Sequence, residues 1–262
     1  VAPDSVSAPE AGAEQRSGSA DPERFAATTE SVFGDDLRAL LVHGPDAHRG
    51  TAPHPEPPEY NLVVILRELG IAELDRASPA VREWVAGGQP PPLFFSEDRL
   101  ANSAAVFPVE LLDMKEANRV LRGRDLVSPL EVRKTWLLQG VERGLKMRLH
   151  QLAELRMLRG GDPDAENAAL LAHLPRLNLL VRSLLRFHTP RNPSGMLEAV
   201  RKLDIYLPGS AAGMLSLYRH VWGVDTGADT GDRQALMESL FASLRVMIAG
   251  VEKLREKLAS EA

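Results

Sequence analysis

Glu59-Tyr60-Asn61-Leu62-Val63-Val64-Ile65-Leu66 is the segment from which the architecture unfolds. Leu62 to Leu66 is apolar at every position, the pattern of a β-strand covered on both faces rather than of one that alternates between core and water. At its N-terminal end Glu59 and Asn61 stand two residues apart. Successive strand side chains alternate between faces, so this pair shares one. A carboxylate pair in that arrangement can hold divalent cations and present them to phosphate groups. Here one member is a glutamate and the other a neutral amide.

Upstream, Leu37 to Val42 reads as a first strand ending at His43-Gly44-Pro45. Asp46 to Pro58 then reads as an exposed loop, with four prolines after Ala52. His43, His48 and His54 lie in this region, but their spacing matches no usual zinc pattern, and a solvated loop explains them better. Pro22 to Phe33 has the marks of a short helix, with Asp21 as N-cap, Pro22 at the first helical position and Gly34 as the stop. Residues 1–21 are rich in Ala, Ser, Pro, Gly and Glu and carry almost no large apolar side chain, so they read as a disordered tail.

Downstream, Ile71 to Ala86 predicts a helical stretch closed by Gly87-Gly88 and interrupted at Pro79, where Ser78 is placed to cap a second segment. Leu93 to Phe95 predicts a short strand, Glu97 to Asn102 a turn of helix, and Phe107 to Met114 another strand carrying Glu110 and Asp113. The expected α/β domain spans 22–127.

From Ser128-Pro129, read as a cap and first helical position, the pattern changes to long helices. Leu137, Val141, Leu145, Leu149 and Leu152 recur at spacings of three and four, as do Leu236, Leu240, Leu244, Met247, Val251, Leu254 and Leu258. The last stripe implies a helix from about Asp232 to Ala259. Shorter helices are expected near Pro163 to His188, Gly195 to Asp204 and Gly209 to Trp222, with breaks at Pro190, Pro193 and Pro208. The fold class is therefore α+β: a small mixed-sheet domain followed by an all-α bundle over 128–262.

The chain has 262 residues, a formal net charge of −5 and no cysteine. Disulfides, zinc–thiolate sites and thiol nucleophiles are excluded, and a reducing cytoplasm fits. The charge balance gives no general attraction to nucleic acid or anionic lipid. No apolar run is read as approaching a membrane span, and the N-terminal residues lack the order of a signal peptide. One local exception stands out. Lys134, Arg143, Lys146, Arg148, Arg156 and Arg159 make the first long helix basic, either as a solvated face or as an anion-binding one.

Three ordered windows resemble the polymerase-beta-like nucleotidyltransferase superfamily, specifically bacterial proteins in which that domain precedes a helical one. Leu40-Leu41-Val42-His43-Gly44-Pro45, with Arg49-Gly50 after it, is similar to the first strand and its phosphate-holding Gly-Ser turn. Glu59-Tyr60-Asn61-Leu62-Val63-Val64 is similar to the Asp-x-Asp metal strand. Val106-Phe107-Pro108-Val109-Glu110-Leu111-Leu112-Asp113, followed by Val120-Leu121-Arg122-Gly123-Arg124-Asp125, is similar to the strand bearing the third carboxylate. The resemblance covers roughly residues 30–160.

It implies a catalytic and metal-binding set of Glu59, Asn61 and Glu110, and nucleotide contacts from Gly44, Arg49 and Gly50. The implied ligands are Mg2+ or Mn2+ with a nucleoside triphosphate, or none if the site is retired. Two positions depart from the family pattern. Pro45 replaces the turn serine and has neither a hydroxyl nor an N–H to donate, while Asn61 supplies an oxygen without charge.

Three functions follow as alternatives. One is a degenerate nucleotidyltransferase-fold protein serving as a binding or regulatory module for a nucleotide or protein partner. Another is an active enzyme moving a nucleoside monophosphate from a nucleoside triphosphate to a small-molecule or protein hydroxyl. The third makes the helical domain the functional half of a toxin–antitoxin-like pair, where Arg182 and His188 meet the Arg-x5-His spacing of HEPN ribonucleases. None involves a membrane, and the oligomeric state stays open. Trp136, Trp222, Tyr206 and Tyr218 read as packing anchors, with a substrate cleft as the alternative.

Overall fold

A computed structural model describes residues 21–44, 47, 60–160, 162–189, 195–223 and 233–260. The tail reading (apart from its last residue, Asp21) and most of the proline-rich loop, with Pro45, Arg49, Gly50 and Glu59, lie outside these residues. The chain divides into two compact units. One holds the described residues up to Ala101 together with Glu116–Pro129, and the other holds Asn102–Lys115 and Leu130–Ala262.

In the first unit, α1 (Pro22–Phe33) begins where its cap signals place it: Asp21 Oδ1 accepts from the Glu23 N–H at 2.9 Å, Pro22 occupies the first turn, and Gly34 follows the last residue. Four strands form a mixed sheet: β1 (Leu37–His43), β2 (Asn61–Leu66), β3 (Leu93–Ser96) and β4 (Asn118–Gly123), in the order β3-β2-β1-β4. β1 runs antiparallel to both β2 and β4, while β2 and β3 are parallel. A parallel pair needs a crossover, supplied here by α2 (Ile71–Ala86).

Leu62, Val63, Val64, Ile65 and Leu66 are all essentially inaccessible to water, as an uninterrupted apolar strand requires. One sheet face, with Leu40, Val42, Leu62, Val64 and Leu66, packs against Phe25, Phe33 and Trp84 from α1 and α2. The Trp84 indole N–H donates to the Pro90 carbonyl at 2.9 Å, which satisfies the one polar atom of that buried ring.

Contrary to the expected interruption, α2 continues through Pro79. Pro79 and Asp75, four residues before it, both lie on the exposed side, so water can serve the carbonyl that loses its donor.

The helical unit contains α4 (Pro108–Glu116, up to Lys115), α5 (Lys134–Arg159), α6 (Pro163–Leu185), α7 (Met196–Tyr206), α8 (Ala212–Trp222) and α9 (Arg233–Ser260), while the short α3 (Glu97–Asn102) falls in the first unit up to Ala101. α5 packs on α6 and α9, α6 on α7, and α8 on α9. The leucine stripes of α5 and α9 supply this core: Leu137, Val141, Leu145 and Leu152 meet Leu236, Leu240, Leu244, Met247 and Val251.

By length and composition Asp164–Leu185 and Arg233–Ser260 are apolar enough to cross a membrane, which corrects the sequence reading that no run approaches that size. In this structure their apolar side chains fill the helical core.

Two further expectations need correction. α5 starts at Lys134 and not at Pro129, because Asp125 Oδ1 instead accepts the Val127 and Ser128 N–H groups at 3.0 and 2.9 Å and folds this segment into a turn. The stretch read as a strand over Phe107 to Met114 is helical. Pro108 at the first position, Glu110 in the first turn and Lys115 in the last suit a helix, and a short apolar run does not separate the two structures by periodicity. α4 belongs with the helices: Val109 joins their core, and Arg143 of α5 donates to the Val106 carbonyl at 3.0 Å.

Tyr218 of α8 is 1% exposed, and its hydroxyl donates to Asn178 Oδ1 on α6. Burial pushes this phenol well above the ordinary tyrosine range. Tyr218→Phe should cost about 1–2 kcal/mol in urea denaturation, since it leaves a part-buried amide oxygen without its donor. A loss below about 0.3 kcal/mol would show that water replaces the hydroxyl without penalty.

Candidate functional site

The sheet's register brings the first two sequence windows to one place. β1 ends at His43, which pairs with Asn61 at the start of β2. Gly44 follows in the left-handed region with φ +89°, a conformation that glycine adopts without steric cost. Its N–H donates to the Ala117 carbonyl at 2.9 Å, and its own carbonyl accepts from the Ala47 N–H at 3.1 Å. A Cβ at position 44 would stand 3.3 Å from Asn61 Nδ2, so the glycine turn and the amide are immediate neighbours. Arg119 steadies the turn from β4, donating to the Ala47 carbonyl at 3.2 Å and pairing with Glu23 at 2.9 Å.

Gly44 and Asn61 are thus brought together, while Arg49, Gly50 and Glu59 lie outside the described residues. Glu110 lies on α4 in the helical unit, where Oε1 is 2.6 Å from Arg176 Nη1 of α6. Its carboxylate already has a cation. Among the described residues no group of three or more His, Asp or Glu side chains is gathered to hold a metal. Magnesium takes near-octahedral oxygen coordination built on carboxylates and phosphates, and a neutral Asn61 oxygen does not supply that donor set.

The helical unit carries polar chemistry that the sequence did not disclose. Arg148 of α5 and His173 of α6 meet with Nη1 and Nδ1 2.9 Å apart. Burial, and then the neighbouring Arg148, holds the His173 imidazole below its usual range and therefore neutral. Burial followed by repulsion from Arg176 likewise lowers Arg148. Arg186, at the end of α6, is lowered to about 10 by burial, with Asp113 opposing the shift.

Arg182 lies on α6 with its Nε buried. His188 lies past α6, its ring stacked on Tyr206 at 4.9 Å between centroids with Nε2 buried, and burial lowers its pKa. Of the aromatic anchors, Tyr218 is buried, Tyr206 is 42% exposed, and Trp136 lies under the Arg133 guanidinium at 4.7 Å.

The sequence signal for the Arg148 cluster was the basic set on α5. Its partners on α6, His173 and Arg176, stand three residues apart among leucines and therefore share a helix side. No protein-family model matches this chain, and no curated protein matches it either.

Proposed function

We propose that this chain is a nucleotidyltransferase-fold protein whose metal and phosphate site has been remodelled. It acts as a binding or regulatory module for a nucleotide or a partner protein, in a cytoplasmic setting. The observation that carries the reading is Asn61, a neutral amide at the head of β2 directly beside the left-handed Gly44 turn of β1. These are the two windows in which the family would place its metal strand and its phosphate turn. The four-stranded mixed sheet supports the reading, as does the adjacency of the two strands.

The charge difference decides between module and enzyme. A pair of unit charges about 4 Å apart is worth about 4 kcal/mol at an effective dielectric near ~20, and a divalent ion about doubles this before solvation. Removing one carboxylate is therefore enough to empty a magnesium position at ordinary concentrations. The ion pair of Glu110 with Arg176 supports the same reading.

Each labelled nucleoside triphosphate is to be titrated with and without Mg2+ or Mn2+, and pyrophosphate release followed. Nucleotide binding indifferent to the metal, without pyrophosphate release, is the expected result. Magnesium-dependent turnover abolished by Glu110→Gln would establish an active nucleotidyltransferase and overturn the proposal. Absence of binding at millimolar nucleotide would leave only the protein-partner role.

A further inference from the structure

The helical unit holds an excess of positive charge in a half-buried place. Arg148, His173, Arg176 and Glu110 come from α5, α6 and α4. Arg176 pairs with Glu110 while Arg148 stands beside Arg176 with no carboxylate of its own, and the Arg176 and Glu110 side chains keep 33% and 28% exposure, so a small ligand can reach them. Arg148 makes no ion pair among the described residues, and its single hydrogen bond is to the His173 ring. Its Nε is buried without an acceptor, and Gln151 Oε1, three residues along the same helix, is buried without a donor.

A bare cation next to another cation is costly where water is partly excluded, and a missing anion is the simplest resolution. The hydrogen-bond direction sharpens the ligand. Arginine has donors only, so His173 Nδ1 must accept from Arg148, which leaves the imidazole hydrogen on Nε2. The two guanidinium groups and the imidazole N–H are thus the donors of this cluster, against the one carboxylate of Glu110 on Arg176.

We propose that Arg148, His173 and Arg176 form a binding site for the phosphate group of a small-molecule ligand, with Glu110 as the resident anion that competes for Arg176. Planar guanidinium forks match the oxygen spacing of phosphate, and the neutral imidazole adds one uncharged donor. This site lies wholly in the helical unit and stands independently of the reading of Gly44 and Asn61.

The test is equilibrium dialysis of the full chain against radiolabelled inorganic phosphate, with ionic strength held constant by chloride. Saturable binding of one equivalent is expected, displaced by sulfate and unaffected by acetate at equal concentration. Arg148→Gln should weaken it at least tenfold, and Arg148→Lys by a smaller factor, because the charge stays while the fork is lost. Glu110→Gln should tighten it several-fold by freeing Arg176, an outcome that a misfolded variant cannot produce. Lack of saturable binding, indifference to Arg148→Gln, or weakening by Glu110→Gln equal to that by Arg148→Gln would each overturn the site.

Discussion

Gly213→Ala is expected to cost the helical unit about 3 kcal/mol or more. α8 crosses α9 at this residue so closely that an added Cβ would stand 2.4 Å from Leu240 Cα, 2.5 Å from the Ser239 carbonyl oxygen and 2.6 Å from Leu240 N. All three are backbone atoms, so no side-chain rotation relieves the clash and the helices must separate. Separation also breaks a local bridge: Ser243 Oγ accepts the Gly213 N–H at 2.9 Å and donates to the Gly209 carbonyl at 3.1 Å, in a position with no exposure.

At about 2–4 °C per kcal/mol for a protein of this size, the loss should appear as a fall of roughly 6–12 °C in thermal midpoint. Gly195→Ala, where nothing lies within 4 Å, serves as the control and should shift it little. Equal shifts for the two variants would refute the close crossing.

The double variant Lys146→Met with Arg255→Met should destabilise the same unit by about 3 kcal/mol at neutral pH. Glu142 of α5 is 9% exposed. Its carboxylate accepts from Lys146 Nζ at 2.6 Å and from Arg255 Nη1 of α9 at 2.8 and 3.0 Å, while Lys146 also reaches Glu252 at 3.0 Å. The two cations are about half exposed, so little is lost by removing them themselves, whereas the Glu142 carboxylate left behind stays buried without a partner.

The hydrogen bond from Lys146, more than any other contact, holds the Glu142 carboxyl below its usual range. In the native protein this network stabilises at pH values above the ordinary carboxylate pKa of about 4.3, and that contribution fades as pH falls through the lowered value. Without its cations, burial raises the carboxyl instead, so the stability lost at neutral pH should partly return as pH drops and the group protonates. Denaturation curves at pH 7 and in mild acid read this directly. A deficit that stays constant across the two conditions would show that packing, and not the buried charge, holds α5 to α9.

What the sequence made readable follows the range of the interaction. The cap of α1 is a contact between residues two apart, and Asp21-Pro22 with Gly34 announces it. The burial of β2 is written in five adjacent residues, and the α5 and α9 stripes are written in a period of three and four. α4 reads as a strand because Val109, Leu111, Leu112 and Met114 give a run too short for periodicity to decide, although Pro108 at its first position is a helix start signal.

The site divides in the same way. Gly44 and Asn61 meet through the strand register of one antiparallel pair, which their positions at the strand ends imply. Nothing local ties Glu110 to Arg176, or Arg148 to His173. Those pairs exist because three helices pack, and the packing is set by leucines elsewhere on each helix.

The central claim is that Asn61 marks a metal strand that has lost its metal. Manganese binding to the wild-type chain and to Asn61→Asp, followed by the paramagnetic signal of the free ion, tests it most directly. Restoring one carboxylate is worth a few kcal/mol of ion attraction even after solvation reduces it. The expected result is weak or unsaturated binding by the wild type and at least tenfold tighter binding by Asn61→Asp. Equal affinity for the two chains would contradict the account, because position 61 would then face no metal site, lost or kept.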